Sequence, residues 1–194
     1  MSREQTRSKA MLGAVIAGGQ SRRFGSDKAV STLGGLRMID HVIAGLAAQV
    51  HQLVICGRDE PGYRCIADRP FPDMGPLGGL AAALHHARVE GFSGVLTSAC
   101  DTPLVPPDLA RRLGCDGPAI VTGQPLFGYW PASLSEQLDN FLVDPANRAV
   151  RHWADVTFAR TVRYSNEIPN INTVAALDLL RVASQECPRL SFMC

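Results

Sequence analysis

The sequence has no apolar run long enough to cross a membrane, no Cys-x-x-Cys pair and almost no excess of either charge. The missing apolar run predicts that no segment spans a membrane. The formal net charge of +1 over 194 residues excludes the broad positive field with which many proteins bind nucleic acid or anionic lipid. We therefore expect the chain to bind neither nucleic acid nor membrane.

The six cysteines are scattered, and no histidine stands at zinc-ligand spacing from any of them. A disulfide framework is unexpected in a chain of this length, so the cysteines predict reduced thiols in a cytoplasmic protein. Residues 1–10 carry charges without a separate apolar segment, and we interpret them as a tail and not as a signal peptide. Residues 11–184 are predicted to form one domain, followed by a second tail at residues 185–194.

The two commonest nucleotide-binding motifs are also missing, since the chain has neither GxxxxGK[ST] nor GxGxxG. What it has is AVIAGGQSRRFGSDKAV at residues 14–30. Backbone N–H groups at Gly18 and Gly19 can approach an anion closely because no Cβ intervenes. Arg23 offers paired donors, and Lys28 offers a mobile charge, to phosphate oxygens. A glycine-rich turn with solvated basic side chains is the alternative, but the clustering favours phosphate binding.

Apolar runs and helical spacing alternate along the chain. Strands are predicted at 11–17, 52–56, 63–67, 94–99, 118–123, 124–130 and 156–162. Helices are predicted at 37–50, 80–89, 106–113, 131–143, 149–155 and 174–183, with loops at 18–28 and 71–79. This alternation predicts an α/β domain with a mostly parallel sheet and helices on both faces.

Carboxylates follow two of the predicted strands, and ligands of such sheets bind beyond the carboxyl ends of the strands. The loops that contain Gly18, Asp68 and Asp101 should therefore meet at one crevice. Asp101, in CDTP at 100–103, is of the residue type that holds Mg²⁺ beside substrate phosphates. An aspartate that only begins a turn is the alternative. For Asp68, ribose, metal and a side-chain partner all stay open.

Two further segments have a functional and a structural interpretation. GPLGG at 75–79 either brings backbone close to a base or sugar or is a turn that leads into a helix. In NINT at 170–173, Asn170 and Asn172 either bind a polar ligand or belong to a helix cap.

The stretch IAGGQSRRFGSDKA strongly resembles the opening signature of the molybdenum cofactor guanylyltransferases, with Phe24 where methionine is usual. GPLGG resembles that family's GPLAG, and CDTPLVPPDL resembles its CDxPxxPPDL. NINT resembles its NxNTP, except that Val174 replaces the proline. The motifs stand in the family's order and span about residues 11–180.

The resemblance implies a nucleotide-diphospho-sugar transferase (glycosyltransferase-A-like, Rossmann-like) fold. It implies Mg²⁺-dependent transfer of GMP from GTP to Mo-molybdopterin, which yields molybdopterin guanine dinucleotide and pyrophosphate. It also implies a monomer that meets cofactor-insertion proteins or molybdoenzymes. The residues implied to contact GTP are Ile16, Ala17, Gly18, Gly19, Lys28, Asp68 and Asp101. Arg23, Lys28 and Asp101 are implied to be catalytic, and Asp101 also to bind Mg²⁺. Asn170 and Asn172 are implied to contact the pterin.

One departure from the family concerns the base. Members of the family carry asparagine near the position of Cys56, and a thiol cannot replace the hydrogen bonds of an amide. Backbone groups or Arg58 are the candidates to replace it. AGG with two arginines favours guanine, because the related cytidylyltransferases read AAG. An enzyme using CTP, one acting on a sugar phosphate, and a non-catalytic nucleotide-binding relative remain as alternatives.

Overall fold

The computed structural model describes residues 10–18, 32–114, 116–144, 146 and 148–165. The strands in these ranges are β1 (Met11–Ile16), β2 (Thr32–Leu33), β3 (Leu36–Arg37), β4 (Gln52–Cys56), β5 (Arg64–Ile66), β6 (Gly94–Ala99), β7 (Ala119–Val121), β8 (Gln124–Pro131) and β9 (Arg160–Val162). The helices are α1 (Met38–Ala47), α2 (Pro76–Glu90), α3 (Leu109–Leu113), α4 (Ser135–Phe141) and α5 (Val150–Val156).

Seven of these strands form one sheet in the order β5-β4-β1-β6-β8-β7-β9. The pairs β4–β5, β1–β4, β1–β6 and β7–β9 are parallel. The β8 strand is antiparallel to both of its neighbours, β6 and β7. The chain leaves β1 toward β4 on one side and later returns to β6 on the other. That reversal makes the carboxyl end of β1 a topological switch point, where open α/β sheets bind their ligands.

Apolar residues of β1 face opposite sides of the sheet in alternation. Leu12 and Ile16 are buried against Leu80 of α2, in a cluster that α4 and α5 complete. Val15 is buried on the other face with Ile39 of α1, in a cluster that α3 completes. Helices cover both faces, as predicted, because a strand that is apolar on both sides must be shielded from water on both.

Several predicted boundaries were wrong. The predicted loop at 71–79 ends early, because α2 begins at Pro76 and includes Gly78 and Gly79, while Gly75 precedes the helix as its N-cap. Proline is tolerated there because the backbone N–H groups of a first helical turn have no partner within the helix. The N–H group that proline lacks therefore costs no helical hydrogen bond. The helix predicted at 106–113 begins only at Leu109.

The strand predicted at 156–162 is confirmed only for its last residues, 160–162, since Val156 still belongs to α5. Phe158, between α5 and β9, has φ 52°, and this left-handed residue lies in the turn that follows the helix. The helix predicted at 131–143 consists of a 3-10 turn followed by α4. The β2–β3 hairpin was not predicted, because strands of two residues carry no periodicity.

None of the helices in the described ranges is both long and apolar enough to cross a membrane. The helix predicted at 174–183 lies outside the described residues.

Candidate functional site

A cleft of about 800 Å³ lies beyond the carboxyl ends of β1, β4 and β5. Its walls come from the segments that follow these strands and from the loop before α2. The polar and backbone groups in it belong to Gly18, Gly57, Arg58, Asp59, Asp68 and Asp73. The cleft thus lies at the carboxyl-end edge of the sheet, where a ligand was expected, on the side of β1 that carries β4 and β5. The described residues that line it include none from the segment after β6.

Two glycines from different strands form the floor of the cleft. The N–H of Ala17 donates to the carbonyl of Cys56 at 2.9 Å, which carries the β1–β4 pairing one residue past the strand. Beyond it the backbones of Gly18 and Gly57 touch, so that a Cβ on Gly57 would lie 2.5 Å from the Cα of Gly18. Gly57 also has φ 82°, a left-handed conformation that favours glycine. The floor therefore exists only because neither residue has a side chain.

Asp68 lies beside this glycine pair. Its carboxylate would be 3.5 Å from a Cβ on Gly18 and 3.2 Å from one on Gly57. Its Oδ1 atom is buried and accepts no hydrogen bond within the described part of the chain. Burial, and secondarily the charge of Asp73, raises the pKa of Asp68 above its ordinary value. A carboxylate that is half-buried and incompletely bonded is suited to accept hydrogen bonds from a ligand.

The glycines of GPLGG allow α2 to pack closely against the site. A Cβ on Gly78 would lie 3.1 Å from the Cβ of Asp68, and one on Gly79 would lie 3.1 Å from the Cβ of Cys56. The backbone N–H of Arg69 donates to the carbonyl of Gly78 at 3.1 Å. GPLGG therefore forms the N-cap and first turn of α2, and its last two glycines allow the helix to pack closely against Asp68 and β4. Gly75, at the N-cap, also lines the cleft.

Arg58 reaches the cleft from the end of β4 and is paired with a buried carboxylate. Its Nε is 3.8 Å from Oε2 of Glu60, whose side chain is only 3% exposed. A terminal nitrogen of Arg37 lies 2.7 Å from Oε1 of the same Glu60. Arg37 also donates to Asp40 in the first turn of α1. A chain of charges thus connects the start of α1 to the wall of the cleft.

Cys56 faces the core and not the cleft. It is fully buried on the side of the sheet that α2 covers. Burial raises the pKa of its thiol, so the side chain is a neutral, inert part of the core. The side chain of Cys56 therefore offers no group to a ligand in the cleft.

Asp101 lies past the end of β6, on the other side of β1 from the cleft wall formed by β4. The N–H of Cys100 donates to the carbonyl of Ile16 at 3.2 Å, which joins the CDTP segment to the end of β1. The hydroxyl of Thr102 donates to Oδ1 of Asp101 at 3.4 Å. The described residues contain no group of three or more metal-ligating side chains. One carboxylate suits a cation such as Mg²⁺, which takes its other ligands from water and phosphates.

The structure brings Gly18 and Asp68 together in the cleft. Asp101 is not among the residues that line the cleft, and it follows β6, the strand next to β1 at the same edge of the sheet. Ile16 is 4% exposed with its side chain in the core, and Ala17 is partly buried against the opposite cluster. Neither Ile16 nor Ala17 is among the residues that line the cleft. The other site residues predicted from the sequence lie outside the described residues: Gly19, Arg23, Lys28, Asn170 and Asn172.

Sequence reasoning missed three residues of the cleft, Gly57, Asp59 and Asp73. Gly57 and Asp59 follow β4 directly. The rule that ligands bind beyond the carboxyl ends of strands was applied to β1, β5 and β6. Applied to β4 as well, it would have found Gly57 and Asp59. Asp73 had no such signal, because its place depends on how the loop before α2 folds back.

The fold is shared with solved nucleotidyltransferases. The molybdopterin-guanine dinucleotide biosynthesis protein A from Archaeoglobus fulgidus superposes with a TM-score of 0.71 at 23% identity, covering 91% of this chain and 100% of that one. The protein is thus an α/β protein of the nucleotide-diphospho-sugar transferase fold.

The family follows from the sequence matches. The model of the MobA-like NTP transferase domain matches residues 13–162, and the chain belongs to that family of nucleotidyltransferases. The molybdenum cofactor guanylyltransferase of Acidiphilium cryptum is 34% identical over 178 residues, which is 84% of this chain and 90% of that protein. The enzyme of that name from Sinorhizobium fredii is 36% identical over 180 residues, 83% of this chain and 80% of that protein.

Proposed function

We propose that this protein is a molybdenum cofactor guanylyltransferase, which transfers GMP from GTP to Mo-molybdopterin and releases pyrophosphate. The observation that carries the proposal is the cleft in which the Gly18–Gly57 floor meets Asp68, at the point where the AGG segment begins. The names of the two bacterial relatives support the same reaction.

The nucleotide has one orientation that suits the charges around the site. The wall formed by Asp59, Asp68 and Asp73 is acidic, which favours a base and ribose and disfavours phosphates. The triphosphate then extends over the start of the segment after β1, toward Asp101 beyond β6. In this orientation the phosphates accept hydrogen bonds from the backbone N–H groups of Gly18 and Gly19. Arg23 and Lys28 provide the positive charge that the phosphates need.

Asp101 is the residue that would hold Mg²⁺, since its carboxylate stands at the strand end nearest to the phosphates. When bound, the ion would neutralise charge on phosphate oxygens of the substrate. The rest of catalysis belongs to the protein. The attacking group is the terminal phosphate of the pterin, which is already an anion, so no general base is required.

Catalysis by this chain is therefore positioning and charge neutralisation. Arg23 and Lys28 reduce the repulsion between the two anionic substrates and stabilise the charge that grows on the departing pyrophosphate. Asn170 and Asn172 bind the pterin side. The protein acts as a cytoplasmic monomer that passes its product to cofactor-insertion proteins or molybdoenzymes.

Pyrophosphate release tests the reaction directly. The protein is supplied with Mo-molybdopterin and Mg²⁺, and release is compared for GTP, CTP and ATP, with and without EDTA. We expect release that depends on GTP, acceptor and metal. A preference for CTP would contradict the assignment of the base. Binding of GTP without any release, by folded protein with competent acceptor, would contradict the assignment of an enzyme.

Single variants test the roles of individual residues. Lys28→Ala and Asp101→Asn should each lower kcat by at least about a hundredfold, because each removes charge stabilisation from the transition state. Their melting temperatures should stay close to that of the unchanged protein. Asp155→Asn, on the exposed face of α5, is the matched control and should leave kcat unchanged. Normal turnover by Lys28→Ala or Asp101→Asn would remove that residue from the mechanism.

A further inference from the structure

We propose that Arg58 makes the cleft selective for guanine by donating hydrogen bonds to the O6 and N7 edge of the base. This inference rests on the proposed function, because it names the residue that chooses the nucleotide for that reaction. It also assigns a purpose to the buried Glu60, which holds Arg58 in position.

Arg58 lies at the wall of the cleft, near a buried carboxylate. Its side chain is 21% exposed and lines the cleft, while its Nε lies 3.8 Å from the buried Glu60. Glu60 is held in turn by Arg37 at 2.7 Å, and its backbone N–H lies 3.1 Å from Sγ of Cys65 on β5. At 3.8 Å the Glu60 carboxylate attracts Arg58 as an ion pair without a hydrogen bond to its Nε, and this attraction favours a guanidinium that stays at the wall of the cleft.

The charges of the cleft match guanine better than cytosine. The wall offers the carboxylates of Asp59, Asp68 and Asp73 and the guanidinium of Arg58. Guanine presents two donor groups, N1–H and the 2-amino group, beside the acceptor O6, with N7 as a further acceptor. Arginine binds O6 and N7 in a bidentate manner, and carboxylates accept from the donor groups. Cytosine has one donor group, the 4-amino group, beside the two acceptors N3 and O2, so it offers fewer donors to the carboxylates than guanine does and lacks the O6 and N7 pair for Arg58.

No other positive group in the described wall can take this role. Cys56, near the position where the family carries an asparagine, is fully buried in the core. Gly57 donates its N–H to the carbonyl of Ile66 at 3.1 Å, so that donor is already used within the sheet. Arg58 is the one cationic residue among the described residues that line the cleft.

The first test replaces Arg58 with methionine, which keeps much of the length and removes the donors. We expect kcat/KM for GTP to fall by on the order of tenfold to a hundredfold, as for the loss of one charged hydrogen bond, while kcat/KM for CTP changes little. Arg64→Met is the matched control. Arg64 lies on the neighbouring strand β5, is 54% exposed and pairs at 3.9 Å with Glu90 away from the cleft. It should leave both values unchanged.

Nucleotide analogues identify the atom that Arg58 contacts. In 6-thio-GTP a sulfur, which is a weak acceptor, replaces O6. The unchanged protein should prefer GTP to 6-thio-GTP, and Arg58→Met should lose most of that preference. ITP lacks only the 2-amino group, so the ratio of GTP to ITP should be the same in both proteins. A preference for GTP over 6-thio-GTP that survives in Arg58→Met would overturn the inference.

Glu60→Gln tests the positioning role of the buried carboxylate. It should lower the preference for GTP over CTP in the same direction as Arg58→Met, through KM more than kcat, because Arg58 loses its charged partner. A variant that is merely less stable would lose activity with every nucleotide at once. If Arg58→Met keeps the melting temperature of the unchanged protein and lowers kcat/KM equally for GTP and CTP, the contribution of Arg58 does not depend on the base and the inference is wrong.

The proposed function and this inference fail in different ways. An unchanged protein that releases no pyrophosphate from GTP contradicts the function. An active, GTP-preferring protein whose base preference is unaffected by Arg58→Met contradicts only the role of Arg58.

Discussion

Gly57 and Gly18 touch through their backbones, and a Cβ on Gly57 would lie 2.5 Å from the Cα and 2.7 Å from the nitrogen of Gly18. Backbone atoms cannot move aside as the end of a flexible side chain can. The contact joins the carboxyl ends of β4 and β1, which are the strands that open the cleft. It follows that the shape of the floor depends on glycine at position 57 for two separate reasons, the contact and the positive φ of 82°.

Gly57→Ala should lower the free energy of unfolding by about 2–4 kcal/mol, since it combines a left-handed conformation with a backbone clash. Urea denaturation measures the loss. Gly62→Ala is the control, because Gly62 has φ 86° with nothing within 4 Å of an added Cβ, and it should cost only about 1–2 kcal/mol. Equal losses in the two variants would show that the contact is unimportant.

Cys56→Asn, which introduces the amide found near this position in the family, should destabilise the protein and leave base recognition unimproved. The site is fully buried, and a Cβ on Gly79 would lie 3.1 Å from its own Cβ, so an amide there has neither water nor space. We expect a loss of about 1–3 kcal/mol from burial of the polar group.

Cys56→Ala controls for the loss of the sulfur, and it should cost about 1 kcal/mol. Equilibrium unfolding and the KM for GTP are measured for both variants. A lower KM for GTP in Cys56→Asn would contradict the assignment of Cys56 to the core.

Asp68→Asn should raise the melting temperature at neutral pH by up to a few degrees while weakening GTP binding. The pKa of Asp68 in the folded protein lies above the ordinary value of 3.8, chiefly because of burial. The folded state therefore keeps this proton to higher pH than the unfolded chain does. Stability of the unchanged protein consequently falls as the pH rises from 3.8 through the raised pKa.

Asparagine removes this pH-dependent loss, and it also removes the repulsion between Asp68 and Asp73. Melting curves of both proteins between pH 3 and pH 8 measure the effect, with Asp155→Asn on exposed α5 as control. The advantage of Asp68→Asn should be absent at the acidic end of the range and full at neutral pH. An advantage that does not depend on pH would exclude the carboxylate as its cause.

Arg37→Met removes the cation that lies 2.7 Å from the buried Glu60, and Glu60 then keeps the more distant Arg58, at 3.8 Å, as a partner. We expect the free energy of unfolding to fall by about 2 kcal/mol. The substitution also breaks the 2.6 Å ion pair with Asp40 at the start of α1. Arg111→Met is the control, since Arg111 is 78% exposed and pairs at 2.9 Å with Asp108 in the same way along its helix. That exposed pair should be worth less than about 0.5 kcal/mol. Urea denaturation at neutral pH compares them, and similar losses would contradict a special role for Glu60.

The central strands were predictable because burial on both faces leaves a continuous apolar run in the sequence. The runs at β1, β4 and β6 were found within a residue of their ends for this reason. The start of α2 was missed because proline and glycine usually indicate loops. In this protein the helix includes Gly78, where an added Cβ would lie 2.6 Å from the Cβ of Met74, and Gly79, where it would lie 3.1 Å from the Cβ of Cys56.

The candidate site was predictable in part. Gly18 and Asp68 were placed together by the rule that ligands bind beyond the carboxyl ends of strands. The role of Cys56 was not predictable, because a cysteine at the end of a strand can face either the ligand or the core. Only the packing of α2 over that face of β4 decides that it belongs to the core.

By itself the sequence determined the class of fold and the strands of the central sheet, and it predicts that the segment after β1 offers glycines and positive charge to phosphates. These depend on local patterns, namely apolar runs, helical spacing and the residues that follow each strand. The tertiary structure decided which residues form the wall of the cleft. The contact of Gly18 with Gly57, the approach of Asp73 and the pairing of Arg58 with Glu60 join segments whose orientation no local pattern specifies, because they result from how strands and loops pack around the switch point.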